Sequence, residues 1–428
     1  MTSGPRSAES AARFRRGWRE RFDWHARRGG AAGIIAVLTA TQWLNWSSTY
    51  YLMTVLARPI AAETGWSLAF VVTGLSLGLV TAGLVSPRVG RAIERHGGRP
   101  MLALGSLLLA VGLLGVGLSR HPIGYLAAWI VIGVAMAASL SDAAFATLGR
   151  FYGLRAKTII SNLMVLIAFS ATFSWPFTAL LTEALGWRGT CFCYAAMHLA
   201  IGLPMHLFLL PKTATLPVEL SPSVPVRAET ASFQAVQGAG PDRRTLLVWL
   251  VGTNITLQIA IGSVLAVHLL SLLETLGVAY AAAVGFGSVI WLSQAGGRVI
   301  DALFGRRFHP VLEGVVASLL VLLGIALLLA APPSALLVGI VLFGVGNGVR
   351  GILKGTLPLV LFGAEGYATL IGRLGLPTLI AQAAGPALGA VALAQWGAMP
   401  LLAILVALAA LNLGLAAALW MATPRLAR

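Results

Sequence analysis

Long apolar segments recur along almost the whole chain, and they limit the folds that it can adopt. Each is close to the length of about 20 residues that a helix needs to cross the hydrocarbon core of a bilayer. Their apolar runs are continuous, whereas the strands of a membrane barrel alternate in polarity over about ten residues. The sequence therefore predicts an all-α membrane protein with twelve transmembrane helices. These segments, numbered here as spans 1 to 12, are 31–57, 66–89, 100–118, 122–149, 157–181, 187–210, 245–273, 277–300, 310–331, 334–362, 367–394 and 397–421.

The composition agrees with this interpretation. Hydrophobic residues make up 58% of the chain and charged residues only 10%, whereas a soluble domain carries about 25% charged residues. This excludes an ordinary soluble enzyme. The sequence also lacks a phosphate-binding loop of the G-x-x-x-x-G-K-[ST] type and a set of metal ligands. We therefore expect no cofactor, no metal site, no use of ATP and no enzymatic activity.

The basic residues orient the spans. Lys and Arg number 30 against 14 Asp and Glu, a net charge of +16 that would suggest nucleic acid in a soluble protein. With both termini assigned to the cytoplasm, 25 of the 30, including Arg298, fall on that side and only Arg58, Arg120 and Arg188 on the other. Such a bias follows the positive-inside rule. We therefore predict a multi-pass protein of the cell inner membrane that does not bind nucleic acid.

Weak repeats divide the chain into two similar halves. Glu63-Thr64 recurs as Glu274-Thr275, and Pro176 of span 5 recurs as Pro386 of span 11. A stretch rich in Pro, Ser and Ala separates the halves and is typical of a flexible linker. Duplication of this kind is frequent in secondary transporters, which bind substrate between the halves. The predicted organisation is a basic cytoplasmic arm (1–30), a six-helix bundle (31–211), a cytoplasmic linker (212–243), a second, pseudo-symmetric six-helix bundle (244–421) and a cytoplasmic tail (422–428).

The most specific motif lies between spans 2 and 3. It reads Gly90-Arg-Ala-Ile-Glu94-Arg95-His-Gly97-Gly98-Arg99 and resembles the signature loop of the major facilitator superfamily, G-x-x-x-D-R-x-G-x-R, with Glu in place of the usual Asp. A weaker copy, from Gly297 to Arg307, follows span 8. Together with twelve spans and a central linker, the resemblance covers essentially the whole chain and implies the major facilitator fold.

In that family the acid and the arginines of the loop form a cytoplasmic latch between helices. The resemblance places this gating role here on Gly90, Glu94, Arg95, Arg99 and Arg150, and in the weaker copy on Asp301 and Arg306. The alternative is a basic loop that only fixes the orientation of the chain.

Ionisable residues inside the spans are the candidates for chemistry, because each costs about 2.5–3.5 kcal/mol to insert. Asp142 lies in span 4, and Arg350 and Lys354 lie in span 10. Asn347, Arg350 and Lys354 share one helical face, since they are three and four residues apart. Asp142 is the carboxylate that we place deepest, so it is the candidate for binding a coupling proton.

Spans 1 and 7 also carry polar stripes. Gln42, Asn45 and Trp46 lie on one face of span 1, and Asn254 and Gln258 lie on one face of span 7. The family resemblance implies that spans 1, 4, 7 and 10 line a central cavity. We therefore expect these residues to bind substrate together with Asn347, Arg350 and Lys354. The alternative is hydrogen bonding between helices without contact to a ligand.

Two positive charges against one negative charge favour an anionic substrate, since arginine binds carboxylates through two parallel hydrogen bonds. Thr64-Gly65-Trp66 at the start of span 2 also resembles the monocarboxylate and oxalate/formate branch of the family. We therefore predict a monomeric secondary transporter that moves a small organic anion by alternating access, with proton coupling or by exchange. The alternatives are a proton-driven drug or metabolite efflux pump of the same fold and a sensor or scaffold that does not transport.

Overall fold

The computed structural model describes residues 30–212, 236, 238, 240–330 and 335–423, and these residues are helical almost throughout. Two short π-helical turns, His198–Gly202 and Met205–Leu209, prolong the eighth helix. The arm over 1–29, most of the linker and the end of the tail lie outside the described residues. The helices are α1 (Gly30–Ser47), α2 (Leu52–Thr64), α3 (Leu68–His96), α4 (Gly98–Leu118), α5 (Pro122–Ser139), α6 (Ser141–Tyr152), α7 (Ala156–Ala168), α8 (Ser170–Met197), α9 (Pro241–Thr275), α10 (Tyr280–Phe304), α11 (Pro310–Ala330), α12 (Leu336–Phe362), α13 (Tyr367–Trp396) and α14 (Ala398–Ala422).

These helices follow the predicted spans, and several spans are broken inside. Nine helical stretches within the described ranges are long and apolar enough to cross a membrane, and two of them run through more than one predicted span. Span 1 is divided into α1 and α2, and span 4 into α5 and α6. The turn between spans 5 and 6 falls at Gly186, where φ is 69°. A break inside a span exposes backbone groups, and these need partners because lipid offers none.

The largest hydrophobic core lies mainly in α1–α8, where it surrounds the fully buried Tyr125, Trp129 and Tyr194. It continues into α12 and α13 of the second half through Ile352 and Ile371, and α9–α14 also enclose two smaller clusters. The halves meet where α3 and α6 pack on α13 and where α7 packs on α10 and α12. The end of the bundle that carries the α3–α4 and α12–α13 turns is called the basic end below, and the other is called the opposite end.

The signature motif is mostly helical rather than a loop. Helix α3 continues through the motif to His96, and the turn is made by Gly97 with a φ of 87°. The weaker copy is similar, because α10 continues to Phe304. Both helices therefore extend further than the sequence predicts, since their apolar runs end before the helices do.

A close crossing of α10 and α12 fixes the second half. Gly344 and Gly348 face α10, and a Cβ atom on Gly344 would lie 2.5 Å from the Cβ of Ser293. A Cβ on Gly348 would collide with the backbone oxygen of Gln294. Small residues four apart allow two membrane helices to approach at backbone distance. This crossing brings the polar face of α12 beside that of α10.

We predict that Gly348→Ala lowers the apparent melting temperature of the detergent-purified protein. The added methyl group has no space against the Gln294 backbone, and overpacking of this kind costs about 1–3 kcal/mol. Gly285→Ala in α10 is the matched control, because nothing lies within 4 Å of its Cβ position. Equal melting temperatures for the two variants would show that the crossing accommodates a larger side chain than this geometry allows.

Candidate functional site

A polar cavity of about 220 Å³ lies between the two halves. The break between α1 and α2 brings Tyr50 to its wall, and α9, α10 and α12 supply most of the polar groups. A second cavity of about 350 Å³ adjoins it, shares Gly262 and Asn347, and has a more apolar wall that includes Trp175 and Trp291. The polar residues that line the first cavity are Tyr50, Asn254, Gln258, Ser263, Arg298, Asn347, Arg350, Lys354 and Gln382.

Arg350 is buried and is held by neutral groups. Its Nη2 atom donates to Asn254 Oδ1 and to Asn412 Oδ1, each at 2.7 Å. Its Nη1 atom donates to the carbonyl of Gly314 at 3.4 Å. No carboxylate of the described ranges pairs with it, so its positive charge is oriented but not neutralised.

The amide network around Arg350 extends along the cavity wall. Asn254 also donates to Asn412, Asn412 donates to Gln258 at 3.4 Å, and Gln258 donates to Asn347 at 3.1 Å. The predicted residues of spans 7 and 10 thus share one site. Asn412 of α14 belongs to the same network and was not predicted, since a single Asn in an apolar span carries no pattern.

Lys354 and Asp142 form an ion pair across the two halves. Lys354 Nζ lies 2.9 Å from Asp142 Oδ2, and the side chains are 20% and 14% exposed. Asp142 occupies the first turn of α6, where the positive end of the helix dipole stabilises a carboxylate. The break of span 4 at Leu140 creates this helix terminus in the middle of a span. The pair is therefore electrically neutral and joins α6 to α12.

Arg298 is the main residue that the sequence analysis missed. We placed it among the cytoplasmic residues, and that placement is wrong: it lies inside α10 and lines the polar cavity. Its Nε atom is buried and has no hydrogen-bond partner in the described parts of the chain. Its Nη2 atom would lie 3.4 Å from a Cβ on Gly351, so it sits directly beside the helix that carries Arg350. The repeat aligned Gly297 with Gly90, and this made Arg298 resemble a residue of the signature loop.

Gln42 and Asn45 are not brought to this cavity. Both are fully buried, and their amide nitrogens donate to the carbonyl of Ser139 at 2.7 Å and 2.8 Å. They thereby satisfy the backbone where α5 ends at the break of span 4. Trp46 donates to Ser141 Oγ at 3.3 Å, and its ring packs against Tyr50 with centroids 5.7 Å apart. These contacts hold the broken spans 1 and 4 together.

Glu94 joins the two halves at the basic end. Its Oε2 atom accepts a hydrogen bond from the backbone N–H of Ala368 at 3.1 Å, in the first turn of α13. Its Oε1 atom lies 3.2 Å from Arg150 Nη1. Nearby, Gly90 packs against Gly372, and a Cβ on Gly90 would lie 2.9 Å from the Cα of Gly372. Helices α3 and α13 therefore touch at this end, and the carboxylate caps the second helix.

The other predicted gating residues are placed differently. Arg95 is exposed and Arg99 half-buried, and the side chain of neither forms a hydrogen bond with another described residue. Asp301 is buried near Glu313 of α11. Lys157 of α7 donates to the carbonyl of Phe308 at 3.4 Å, so the weaker copy of the motif also lies where the halves meet. The side chain of Arg306 lies outside the described residues.

A bundle of apolar helices in two halves around a polar cavity defines a multi-pass membrane transporter. Residues 38–349 match the family model of the Major Facilitator Superfamily, and the chain belongs to that family. The family and its structural neighbours are transporters and not enzymes, and the partner of such a protein is a small-molecule substrate.

Three similar proteins illustrate the range of the family. A gentisate transporter of Corynebacterium glutamicum is 31% identical over 206 residues, which cover 45% of this chain and 44% of that protein. The alignment thus spans less than half the length of this relative. The human organic anion transporter MFSD10 (TETRAN) has a TM-score of 0.68 at 18% identity, covering 90% of this chain and 99% of that one. The proton:xylose symporter XylE bound to 6-bromo-6-deoxy-D-glucose has a TM-score of 0.67 at 13% identity, covering 92% and 96%. The two structures share the fold.

We predict that Glu94→Gln opens the basic end more often, because the amide loses the charged contacts with Arg150 and with the start of α13. An Ala146→Cys reporter, placed at a position that is 1% exposed beside Gly90, should then react faster with a thiol reagent in a background without Cys191 and Cys193.

Glu63→Gln is the matched control for this experiment. Glu63 pairs with Arg188 Nε at 2.9 Å, but this contact lies at the opposite end and within the first half. Equal reaction rates for both variants and the unmodified chain would mean that Glu94 does not hold the halves together.

Proposed function

We propose that the protein is a monomeric secondary transporter that moves a small organic anion of the carboxylate type by alternating access. The observation that carries this proposal is the pair of guanidinium groups in one cavity. Arg350 is surrounded by neutral oxygens, and Arg298 has a buried Nε atom without a described partner. Lys354 is already neutralised by Asp142, so the wall keeps two positive charges.

An anionic substrate would complete this site. A buried charge is costly unless it is paired, and a guanidinium can bind a carboxylate through two parallel hydrogen bonds. Arg350 already uses four neutral acceptors, counting the Asn254 carbonyl, whereas the Nε atom of Arg298 has no hydrogen-bond partner among the described groups. The names of the gentisate transporter and of the human organic anion transporter agree with such a substrate.

We also infer the orientation in the membrane. Among the residues that the structure describes, the basic end carries most of the Lys and Arg residues that lie outside the spans, even after Arg298 is removed from that count. The positive-inside rule then assigns this end and both termini to the cytoplasm. We infer that the membrane is the inner membrane of the cell.

The Asp142–Lys354 pair is the proposed coupling device. It lies beside the cavity and bridges the halves, so its breaking would loosen one contact between them. A proton on Asp142 would release Lys354, and a substrate anion would compete with Asp142 for the same cation. Proton binding and substrate binding would thereby act on one ion pair.

A second candidate function is proton-driven efflux of a drug or metabolite. The adjoining cavity of about 350 Å³ favours it, because Trp175, Trp291 and Phe343 offer an apolar, aromatic wall. The two functions differ in substrate charge: the first requires an anion, and the second accepts neutral or cationic compounds of larger apolar area.

We predict that Arg298→Gln and Arg350→Gln each weaken binding of an anionic substrate at least tenfold, since a hydrogen bond to a charged group contributes about 1.5–3 kcal/mol. The measurement is uptake of radiolabelled organic acids, gentisate first, into proteoliposomes with and without a pH gradient. Arg120→Gln is the matched control, because this arginine is exposed at the opposite end. Unchanged affinity in both cavity variants, or uptake of neutral amides as good as that of acids, would contradict the anion proposal.

We predict that Asp142→Asn retains exchange of substrate but loses accumulation driven by a pH gradient. Asparagine resembles the protonated carboxyl and leaves Lys354 permanently available to the substrate. Counterflow and gradient-driven uptake are measured on the same proteoliposome preparation, so that loss of folding is separated from loss of coupling. If the variant still concentrates substrate when only a pH gradient is supplied, the proton site lies elsewhere.

A further inference from the structure

A groove of about 980 Å³ runs along the second half, and it is larger than either cavity of the candidate site. Its walls are α9 and α13, and the turn before α13 closes one end. The groove is separate from the polar cavity, because one face of α9 lines the groove and another face lines the cavity. Asn254 and Gln258 face the cavity, whereas Thr256 and Ala260 face the groove.

The interior of the groove, away from its mouth, is apolar. It is lined by Val248, Leu257, Leu370, Leu374 and Pro377. From Arg244 to Ala260 the helix rises about 24 Å, at about 1.5 Å per residue. Since the hydrocarbon core is about 30 Å thick, the groove reaches from the basic end towards the middle of the bilayer. Its dimensions fit an extended acyl chain.

Small and polar residues shape the interior of the groove. Gly252 packs closely against Leu374 in the wall, because a Cβ at this glycine would lie only 3.1 Å from Leu374 Cδ2. Thr256 Oγ1 is buried without a hydrogen-bond partner in the described chain.

The mouth of the groove is positively charged. Arg244 and Arg373 line it together with Glu365, which leaves one net positive charge. Both arginines are exposed, and neither guanidinium group forms an ion pair or hydrogen bond with any residue that the structure describes. Arg373 lies inside α13 rather than in a loop, where an unpaired cation facing lipid is costly.

We propose that this groove binds one anionic phospholipid, with its phosphate between Arg244 and Arg373 and one acyl chain along α9 and α13. Arginine pairs with phosphate through two hydrogen bonds, and basic pockets between membrane helices bind anionic headgroups. Trp249, which is 70% exposed at the mouth, covers the glycerol region, as aromatic residues do at membrane interfaces. The net positive charge selects an anionic over a zwitterionic lipid.

The test is the preference of the full chain for spin-labelled phosphatidylglycerol over spin-labelled phosphatidylcholine in phosphatidylcholine vesicles. We expect the double variant Arg244→Gln/Arg373→Gln to lower this preference by up to about 25-fold, since each arginine near a headgroup contributes about a fivefold change. The matched control is Arg88→Gln/Arg91→Gln, which removes the same charge from exposed positions on α3 at the same end.

A second variant separates groove binding from attraction at the surface. Thr253→Trp fills the groove and keeps both arginines, so it should reduce immobilisation of the labelled chain without changing the charge. The proposal is overturned if the unmodified chain shows no preference, if the control lowers it as much as the groove variant does, or if Thr253→Trp binds as the unmodified chain does. Substrate uptake is not part of the readout, so the result is independent of the proposed function.

Discussion

The structure depends on how positive charge is accommodated in an apolar interior. Arg350 is supported by amide and carbonyl oxygens that come from three other helices, so its orientation is set without its charge being cancelled. The charge of Lys354, by contrast, is neutralised by Asp142 of the other half. The charge of Arg350 thus has no counter-charge among the described residues, whereas the charge of Lys354 is part of the contact between the halves.

Close approach of helices at glycine serves two purposes in this fold. The α10–α12 crossing at Gly344 and Gly348 lies within one half and places Arg298 beside the helix that carries Arg350. The contact of Gly90 with Gly372 lies between the halves. Beside it, the Glu94 carboxylate accepts a hydrogen bond from the first turn of α13, so the glycine contact and this cap together join the halves at the basic end.

Two chemically similar ion pairs differ in whether they lie within one half or link the two halves. Glu63 with Arg188 and Glu94 with Arg150 both join a glutamate to an arginine. The first lies within one half and also supports carbonyls of the α4–α5 turn through Arg188. The second is completed by the N-terminus of a helix from the other half. Location, rather than residue type, decides which pair stabilises a half and which links the halves.

The sequence by itself determined the helical membrane fold, the family and the polar faces of spans 7 and 10, because apolar length, charge bias and helical periodicity are local properties. It could not determine that Gln42 and Asn45 serve the backbone at Ser139, since only packing decides which acceptor a buried amide meets. It also placed Arg298 among the cytoplasmic residues, because the repeat aligned it with the signature loop, whereas it lies inside α10. The tertiary structure decided the site: helices far apart in sequence converge on one cavity, and the balance of charge there is a property of their contacts.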